Sequence, residues 1–301
     1  MSADVERSET SDTIMCCASC GTAEVDEIKL KTCTACKSVR YCSVKCKRGH
    51  RPQHKKACKK RAAELRDELL FKQPESSYYG DCPICCLPLS LDETKSTMMP
   101  CCSKVICIGC DYANDLRTLE QSLEITCPFC RHSFTEEEAD KNVMKRIEAN
   151  DPVALLDMGK SRYDEGDYEG ALEYWTKAAE MGDLEAHYNL SVMYRKGECV
   201  EKDKKKEVYH SEEAAIGGCP SARYNLGVME GINGRLERAV KHFIIAANLG
   251  HDGSLDALKD FFMRGLVSRE DYAAALRAHQ AAVDATKSPQ REAGQAARQL
   301  G

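Results

Sequence analysis

The residues of this sequence that could do chemistry are its cysteines, whose spacing is typical of metal ligands. The chain has 301 residues and 19 Cys, of which 17 lie between Cys16 and Cys130. Most form Cys-x-x-Cys pairs, in which two thiolates can bind one Zn²⁺. Residues 1–13 contain no apolar stretch of the kind found in a secretory signal. We therefore expect reduced cysteines, zinc sites and a cytoplasmic and/or nuclear protein.

The first cysteine cluster offers eight ligands in regular pairs. Two Cys-x-x-Cys pairs precede a Cys-x-x-x-Cys pair and a His-x-x-x-Cys pair. Side chains four residues apart share one face of a helical turn, and eight ligands suffice for two tetrahedral zincs. Cys16 and His50 fit the spacing less well than their neighbours. The predicted ligands are Cys17, Cys20, Cys33, Cys36, Cys42, Cys46, His54 and Cys58.

Residues 14–60, which we call the finger module, resemble a MYND zinc finger, including Tyr41 and Ser43 on either side of the third pair's first Cys. The resemblance implies interleaved pairing, with the first and third pairs on one zinc and the second and fourth on the other. The family often has Asp-Trp where His50-Arg51 stand here, which weakens the expectation of proline-rich peptide binding. No methyltransferase domain is indicated downstream.

Positive charge is concentrated in the finger module. Between Lys29 and Arg61 there are 13 Lys and Arg and no acidic residue, although the whole chain has a formal net charge of -5. A basic segment can bind phosphates, but Tyr41 is the only aromatic residue within it that could stack on a base. We interpret the charge as partial compensation of zinc-bound thiolates and a solvated surface. We expect no nucleic-acid partner.

A second cluster lies in residues 81–134, which we call the second zinc module. Two Cys-x-x-Cys pairs at its ends enclose a central group of four Cys between Cys101 and Cys110, a pattern that resembles a RING cross-brace. The resemblance implies one zinc on Cys82, Cys85, Cys107 and Cys110, and the other on Cys101, Cys102, Cys127 and Cys130.

The adjacent pair Cys101-Cys102 departs from RING patterns. Where a common RING has His, this chain has Lys104, and the spacing to Cys107 is closer to an all-cysteine subclass. Neighbouring side chains diverge in an extended chain, so both thiols can reach one metal only from a turn. His132 is the alternative fourth ligand.

Three residues of the second zinc module match contact positions of RING ubiquitin ligases. Ile84 matches the apolar contact of the first Cys-x-x-Cys pair, Pro128 the proline of the last pair, and Arg131 the cation that bridges conjugating enzyme and ubiquitin. Such ligases act by positioning and form no covalent intermediate. No hydrolase triad, P-loop or dinucleotide motif suggests another enzyme class, and we do not expect Cys86 to be a nucleophile.

The third part of the chain repeats. Ala-Ala-x-x-Gly recurs with spacings of 36 and 32 residues, ending at Gly182, Gly218 and Gly250. A period in the thirties with two helical segments per unit predicts an α-solenoid, with alanines at close helix contacts and glycines in left-handed turns. A weaker fourth unit follows, with Leu258 and Gly265. We assign five large apolar side chains to the core: Tyr174, Trp175, Phe243, Ile244 and Ile245.

These units resemble Sel1-like repeats, relatives of the tetratricopeptide repeat, which implies an adaptor role. The expected fold is thus two small zinc-stabilised α+β modules followed by an all-α solenoid of helical hairpins. We assign 135–287 to the repeats, with Thr135 as a helix N-cap, 61–80 to a helix and linker, and 1–13 and 288–301 to disordered ends. No run of about 18 apolar residues occurs and the mean hydropathy is -0.49, so we expect no membrane-spanning helix.

The sequence supports two functional hypotheses. The first is a RING-type ubiquitin-protein ligase that binds a ubiquitin-conjugating enzyme, with the repeats, and the finger module as a further candidate, recruiting a protein substrate or adaptor. The second is a non-enzymatic zinc-dependent scaffold that joins two partners.

The ligand arithmetic predicts four zinc ions per chain. Fifteen Cys and His54 provide four ligands for each metal. Metal analysis of the purified protein should give four equivalents of zinc. Two or fewer would remove one of the two zinc modules from this interpretation.

Overall fold

The computed structural model describes residues 15–124, 126–132 and 135–300. The disorder predicted for 1–13 lies outside the described residues. The chain divides into two compact units, Met1–Leu70 and Phe71–Gly301.

The first unit is a small finger with one long helix. Strands β1 (Lys31–Thr32) and β2 (Arg40–Tyr41) pair antiparallel, and helix α1 spans Val44–Leu70. The buried cluster contains three predicted ligands together with Leu30 and Tyr41. Such a core is too small to stabilise a fold by apolar burial alone, so metal binding must contribute much of the folding free energy.

The helix predicted at the start of 61–80, over residues 62–71, is only the last part of α1. The helix begins 18 residues earlier, at Val44, and continues through Gly49 and Pro52 to Leu70. Both residues disfavour a helix interior, which is why the pattern alone did not predict one. His54 and Cys58 are one turn apart on this helix and face the same metal cluster. A metal bound by that pair favours the helical conformation there.

In the second unit, the second zinc module contains a β-hairpin and a helix. A 3₁₀ turn (Glu93–Lys95) leads into β3 (Ser96–Met99), which pairs antiparallel with β4 (Lys104–Cys107), and α2 (Ile108–Glu120) follows directly. Leu89, Met99 and Ile106 are the buried non-cysteine residues of its apolar cluster. This module, too, has little apolar core apart from its ligands.

Helices make up the remainder of the second unit. The N-cap predicted at Thr135 is present and forms part of a capping box: its hydroxyl accepts from the Glu138 N–H, and the Glu138 carboxylate accepts from the Thr135 N–H. The helices are α3 (Glu136–Glu148), α4 (Pro152–Asp164), α5 (Tyr168–Glu180), α6 (Leu184–Lys196), α7 (Lys204–Ile216), α8 (Pro220–Ile232), α9 (Leu236–Asn248), α10 (Asp252–Met263), α11 (Arg269–Ala285) and α12 (Pro289–Leu300).

The predicted solenoid of helical hairpins is confirmed. Helices α4 to α11 form four hairpins, and the three Ala-Ala pairs are buried at 0–7% exposure where helices meet. Gly182, Gly218 and Gly250 have φ of 89°, 94° and 89°, the left-handed conformation expected after each pair.

Two glycines show why the repeats need small residues at one position. A Cβ on Gly159 would collide with the Trp175 indole, and one on Gly227 would collide with the Phe243 ring. In each case an aromatic side chain of the second helix lies directly against the first helix. Trp175 also donates to the Leu156 carbonyl at 3.2 Å. The predicted core assignment of Trp175 and Phe243 is therefore confirmed.

The prediction of disorder for 288–301 was wrong over 288–300. This segment forms α12, which packs along α2 of the second zinc module. Its sequence is polar and has no large apolar stripe, so it resembled a free tail. Its order comes instead from close backbone contact, since a Cβ on Gly294 would lie 2.8 Å from the Ile108 carbonyl oxygen.

The predicted linker after α1 is also packed. The Tyr78 N–H donates to the Gly218 carbonyl at 3.2 Å, and Asn248 donates to the Gln73 amide oxygen at 3.0 Å. The segment thus crosses the turns that join successive repeats. Among the described residues, no helix is long and apolar enough to cross a membrane.

A buried histidine pair predicts how the repeats respond to acid. The Nδ1 atoms of His187 on α6 and His210 on α7 are 2.9 Å apart, so one must donate and the other accept. Burial lowers the pKa of both rings; at His210 the neighbouring His187 and then Lys206 add to the effect of burial, and together they bring its pKa to about 4. An unfolded His has a pKa of about 6.5 and binds more protons over this interval, so the repeats should lose stability as the pH falls from 6.5 towards 4.

The test compares thermal unfolding of the wild type and His210→Gln by circular dichroism at pH 7 and pH 5.5. The variant should lose less stability on acidification, because it removes the group that takes up the proton. Zinc-ligand protonation affects both proteins alike. Equal losses of stability in the two proteins would show that the histidine pair does not contribute to the acid sensitivity of the repeats.

Candidate metal centres

The structure gathers the sixteen predicted ligands into four clusters. Within each cluster the ligand atoms all lie within 4.8 Å of one another. The clusters are Cys17, Cys20, Cys42 and Cys46; Cys33, Cys36, His54 and Cys58; Cys82, Cys85, Cys107 and Cys110; and Cys101, Cys102, Cys127 and Cys130. In both modules successive ligand pairs alternate between two clusters, as the resemblances implied.

The interatomic distances fit tetrahedral zinc. Sulfurs bound at about 2.3 Å to one Zn²⁺ are about 3.8 Å apart, whereas disulfide sulfurs are about 2.0 Å apart. Within these clusters, neighbouring Cys Sγ atoms are separated by 3.4 to 3.9 Å. The Cys36 Sγ and His54 Nε2 are 3.2 Å apart. Thiolates with one imidazole form a donor set that suits Zn²⁺, and each cluster can hold one ion.

Four Cys-x-x-Cys pairs form the same tight turn. They are the first two pairs of the finger module and the first and last pairs of the second zinc module. The residue after the second Cys donates its N–H to the carbonyl of the first at 2.8 to 2.9 Å. That residue has positive φ in all four turns: Gly21 at 76°, Lys37 at 54°, Cys86 at 55° and Arg131 at 62°. This conformation turns the chain back so that both thiols face one point.

The finger module builds its clusters from turns on one side and α1 on the other. Cys46, His54 and Cys58 lie on α1, whereas the first two pairs lie on turns. Backbone N–H donation, chiefly from Cys42, lowers the pKa of the Cys17 thiol to about 6. Hydrogen bonds that stabilise the thiolate favour metal binding over the protonated thiol.

His50 supports a zinc ligand instead of serving as one. Its ring stacks on His54 with centroids 5.6 Å apart, and its Nδ1 is 3.1 Å from the Tyr41 hydroxyl. These contacts fix the orientation of the His54 imidazole, as outer partners of metal-bound histidines commonly do. The only sequence signal for this role is the spacing His50-x-x-x-His54, which is one helical turn and was not predicted to matter.

A hairpin turn allows the two adjacent cysteines of the second zinc module to face the same metal cluster. Cys101 and Cys102 lie in the turn between β3 and β4, where the Ser103 N–H donates to the Met99 carbonyl at 2.8 Å and Ser103 has φ of 53°. Cys101 Sγ lies 3.4 Å from that of Cys130. Cys102 Sγ lies 3.9 Å from that of Cys127. Both thiols therefore face one cluster.

The alternative ligands considered from the sequence lie elsewhere. Cys16 and Cys86 are exposed, and neither belongs to a cluster. His132 is exposed and contributes its backbone carbonyl, which accepts from the Cys127 N–H at 2.8 Å.

Two arginines from the helical part of the chain reach the second zinc module. Arg146 on α3 donates to the Cys102 carbonyl and the Ser103 hydroxyl, both at 3.2 Å. Arg291 on α12 donates to the Cys85 thiol at 3.3 Å. Burial raises the pKa of Cys85, but the Leu87 N–H and this guanidinium bring it down to about 7. Neither arginine carries a recognisable sequence signal, because Arg146 lies 44 residues along the chain from Cys102 and Arg291 lies 206 residues from Cys85.

Comparison with known proteins identifies two of the modules. The MYND finger model matches residues 17–58, and the Sel1 repeat model matches 152–183, 184–219 and 220–251. No curated protein matches the sequence.

Two solved structures are similar to the helical part. A Sel1 repeat protein from Oxalobacter formigenes has a TM-score of 0.43 and 21% identity, covering 57% of this chain and 71% of that one. The protective antigen c5321 from uropathogenic Escherichia coli, which displays an SLR fold, has a TM-score of 0.41 and 31% identity, covering 49% and 33%. This chain therefore spans about a third of the antigen's length.

The chain thus contains a MYND finger, a second zinc module whose clusters are consistent with a RING-like module, and three Sel1 repeats followed by a fourth helical hairpin. Its cofactor is Zn²⁺, and its modules are those of a zinc-dependent protein-interaction protein.

The adjacent cysteines provide a direct test of the fourth cluster. Cys102→Ser should lower the zinc content from four equivalents to three, because a serine hydroxyl is a poor zinc ligand. His132→Ala and Cys86→Ser should both retain four, since neither side chain lies in a cluster. Metal analysis of the three variants measures this. Loss of one zinc from His132→Ala would show that histidine, not Cys102, completes the site.

Proposed function

We propose that this protein is a RING-type ubiquitin-protein ligase that holds a ubiquitin-conjugating enzyme on its second zinc module. The observation that supports the proposal is the location of the three matched residues on its zinc-binding turns. Ile84 is 40% exposed between Cys82 and Cys85. Pro128 is partly exposed within the last pair, and Arg131 is exposed directly after it.

The surface of this module has the apolar character that partner binding requires. Besides Ile84, the side chains of Leu116, Leu119 and Leu123 are 38%, 77% and 47% exposed, and Phe129 is 42% exposed. Five large apolar side chains exposed on one small module favour a protein contact. Asn114 of α2 donates to the Thr126 carbonyl at 3.1 Å, which connects the helix to the last zinc-binding turn.

The proposed mechanism is positioning. Zinc supplies the crosslinks that hold the turns in shape. Ile84 and Pro128 provide the apolar contact for the conjugating enzyme, and the Arg131 guanidinium hydrogen-bonds across enzyme and ubiquitin. Restricting the thioester-linked ubiquitin to a reactive geometry accelerates transfer without a nucleophile from this chain.

The repeats are proposed to recruit the substrate. A cleft of about 400 Å³ lies where they meet the second zinc module, lined by aromatic and charged side chains that include Tyr79, Tyr163, Trp175 and Tyr188. Lys160 crosses this boundary, with Glu93 at 3.2 Å and Glu185 at 2.5 Å. A protein segment bound there would lie beside the module that carries the conjugating enzyme. The reduced thiolate ligands favour a cytoplasmic and/or nuclear location.

A non-enzymatic scaffold is the second candidate. The observation that favours it is the Cys101-Cys102 turn, which departs from the ligand spacing of ligase RINGs although it completes a zinc cluster. In that case the exposed apolar surface would bind a protein other than a conjugating enzyme.

Arg131→Ala should separate the two candidates. Alanine is also an L-residue, so the positive-φ turn is equally strained in both proteins, and an exposed substitution changes stability by about 0.5 kcal/mol or less. Loss of a hydrogen bond from a charged group should slow ubiquitin discharge from a conjugating enzyme about tenfold or more. Single-turnover discharge across a panel of conjugating enzymes measures the rate, with zinc content and melting temperature measured in parallel.

The matched control is Arg117→Ala, which removes another exposed cation, on α2. It should discharge at the wild-type rate. Ile84→Ala should instead weaken binding of the conjugating enzyme, because it removes apolar contact area worth about 25 cal/mol per Å². Equal slow discharge by wild type and Arg131→Ala with every enzyme would favour the scaffold.

A further inference from the structure

The C-terminal helix α12 packs against helix α2 of the second zinc module with direct backbone contact. A Cβ on Gly109 would be 2.8 Å from the Arg291 Cα, so the two helices meet backbone to backbone. Gln290 donates to the Gly109 carbonyl at 3.0 Å. Near the other end of the helix, Arg298 donates to the Thr94 carbonyl at 2.6 Å and to the Thr97 hydroxyl at 2.9 Å.

This docking brings the Arg291 guanidinium to the first zinc-binding turn of the module. It donates to the Pro88 carbonyl at 2.6 Å, the Leu87 carbonyl at 3.0 Å and the Cys85 Sγ at 3.3 Å. A fourth bond, to the Thr286 carbonyl at 2.8 Å, anchors it to its own segment. Arg291 and Cys85 are 206 residues apart in the chain.

The charge of Arg291 lacks an ordinary counter-ion. The side chain is 8% exposed, and in the described part of the chain it forms no ion pair with a carboxylate. A buried, unpaired cation is strongly unfavourable. The neighbouring cluster resolves this, because four thiolates around one Zn²⁺ carry a formal charge of about −2. Arg291 and the metal site therefore compensate each other.

We propose that Arg291 is a positioning residue of the second zinc module: it fixes the turn of Cys82 to Pro88 and so completes the first zinc site and orients Ile84. The module is then completed only when α12 is docked, and the conjugating-enzyme surface and the repeats form one body. The part that concerns Ile84 rests on the proposed ligase function, whereas the part that concerns zinc does not.

The test measures zinc retention in the full-length protein. Outer partners of metal ligands typically contribute 10- to 100-fold to metal affinity. In Arg291→Ala, one of the four zincs should therefore bind about tenfold or more weakly in competition with a chromophoric chelator, and the other three should be unchanged. Hydrogen exchange should rise at amides 82–88 and stay at the wild-type level at 127–131.

The controls separate Arg291 from helix docking in general. Arg298→Ala removes an arginine of the same helix that contacts no zinc ligand, and it should retain all four zincs with wild-type affinity. Arg291→Lys keeps the charge but has only three donors for the four acceptors that the guanidinium bonds, so it should fall between wild type and alanine. Wild-type zinc affinity and exchange in Arg291→Ala, or equal zinc loss in Arg298→Ala, would overturn the proposal.

Ubiquitin discharge keeps this proposal distinct from the ligase assignment. If wild type is active, Arg291→Ala should discharge more slowly because the Ile84 turn is less ordered. If wild type is inactive with every conjugating enzyme, the ligase function fails, while the change in zinc affinity still decides the role of Arg291.

Discussion

Metal coordination by interleaved ligand pairs is the constraint on which the N-terminal half of this protein depends. Neither zinc module buries enough apolar surface to fold alone, and their cores consist largely of the ligands themselves. Because each pair shares its metal with a pair two positions away along the chain, every zinc closes a loop that contains part of the other site. The adjacent Cys101 and Cys102 also bind as one interleaved pair, because the hairpin turn directs both thiols to the same cluster.

The second zinc module also depends on residues outside its own sequence. Arg146 donates to the turn that carries Cys102, and Arg291 donates to the turn that carries Cys85. Lys160 of the repeats forms an ion pair with Glu93 of the module. The two arginines differ in electrostatics: Arg146 has Asp151 at 2.5 Å as a carboxylate partner, whereas Arg291 is buried against thiolates. The Arg146 contact joins α3 to the hairpin turn, and the Arg291 contact joins the C-terminal helix to a metal-binding turn. The module is thus embedded in the repeat unit and does not extend from it on a flexible tether.

The sequence predicted what depends on local spacing. Ligand pairs are set by turns of four or five residues, and the repeat period by recurring Ala-Ala-x-x-Gly, so the ligand pairs and the hairpins could be anticipated. Which pairs share a metal was implied by the resemblance to MYND and RING modules and not by the spacing itself. What depends on distant contacts could not. The segment of α12 is polar, and its order comes from backbone contact at Gly109 and Gly294, which leaves no apolar stripe to recognise. Likewise, the helical conformation through Pro52 runs against local propensity and is favoured by the ligands His54 and Cys58 on the same helix.

The order of the modules along the chain gives these contacts a consequence for assembly. The turn that contains Cys85 is synthesised long before Arg291, and the whole solenoid lies between them. Until α12 docks, the first site of the second zinc module has its four thiolates but lacks the buried cation that offsets their charge. On the proposed role of Arg291, the surface that carries Ile84 would reach its final order only after α12 has docked. In a ligase of this design, an incompletely folded chain would hold its conjugating enzyme poorly, so that activity is coupled to the folding of the part proposed to select the substrate.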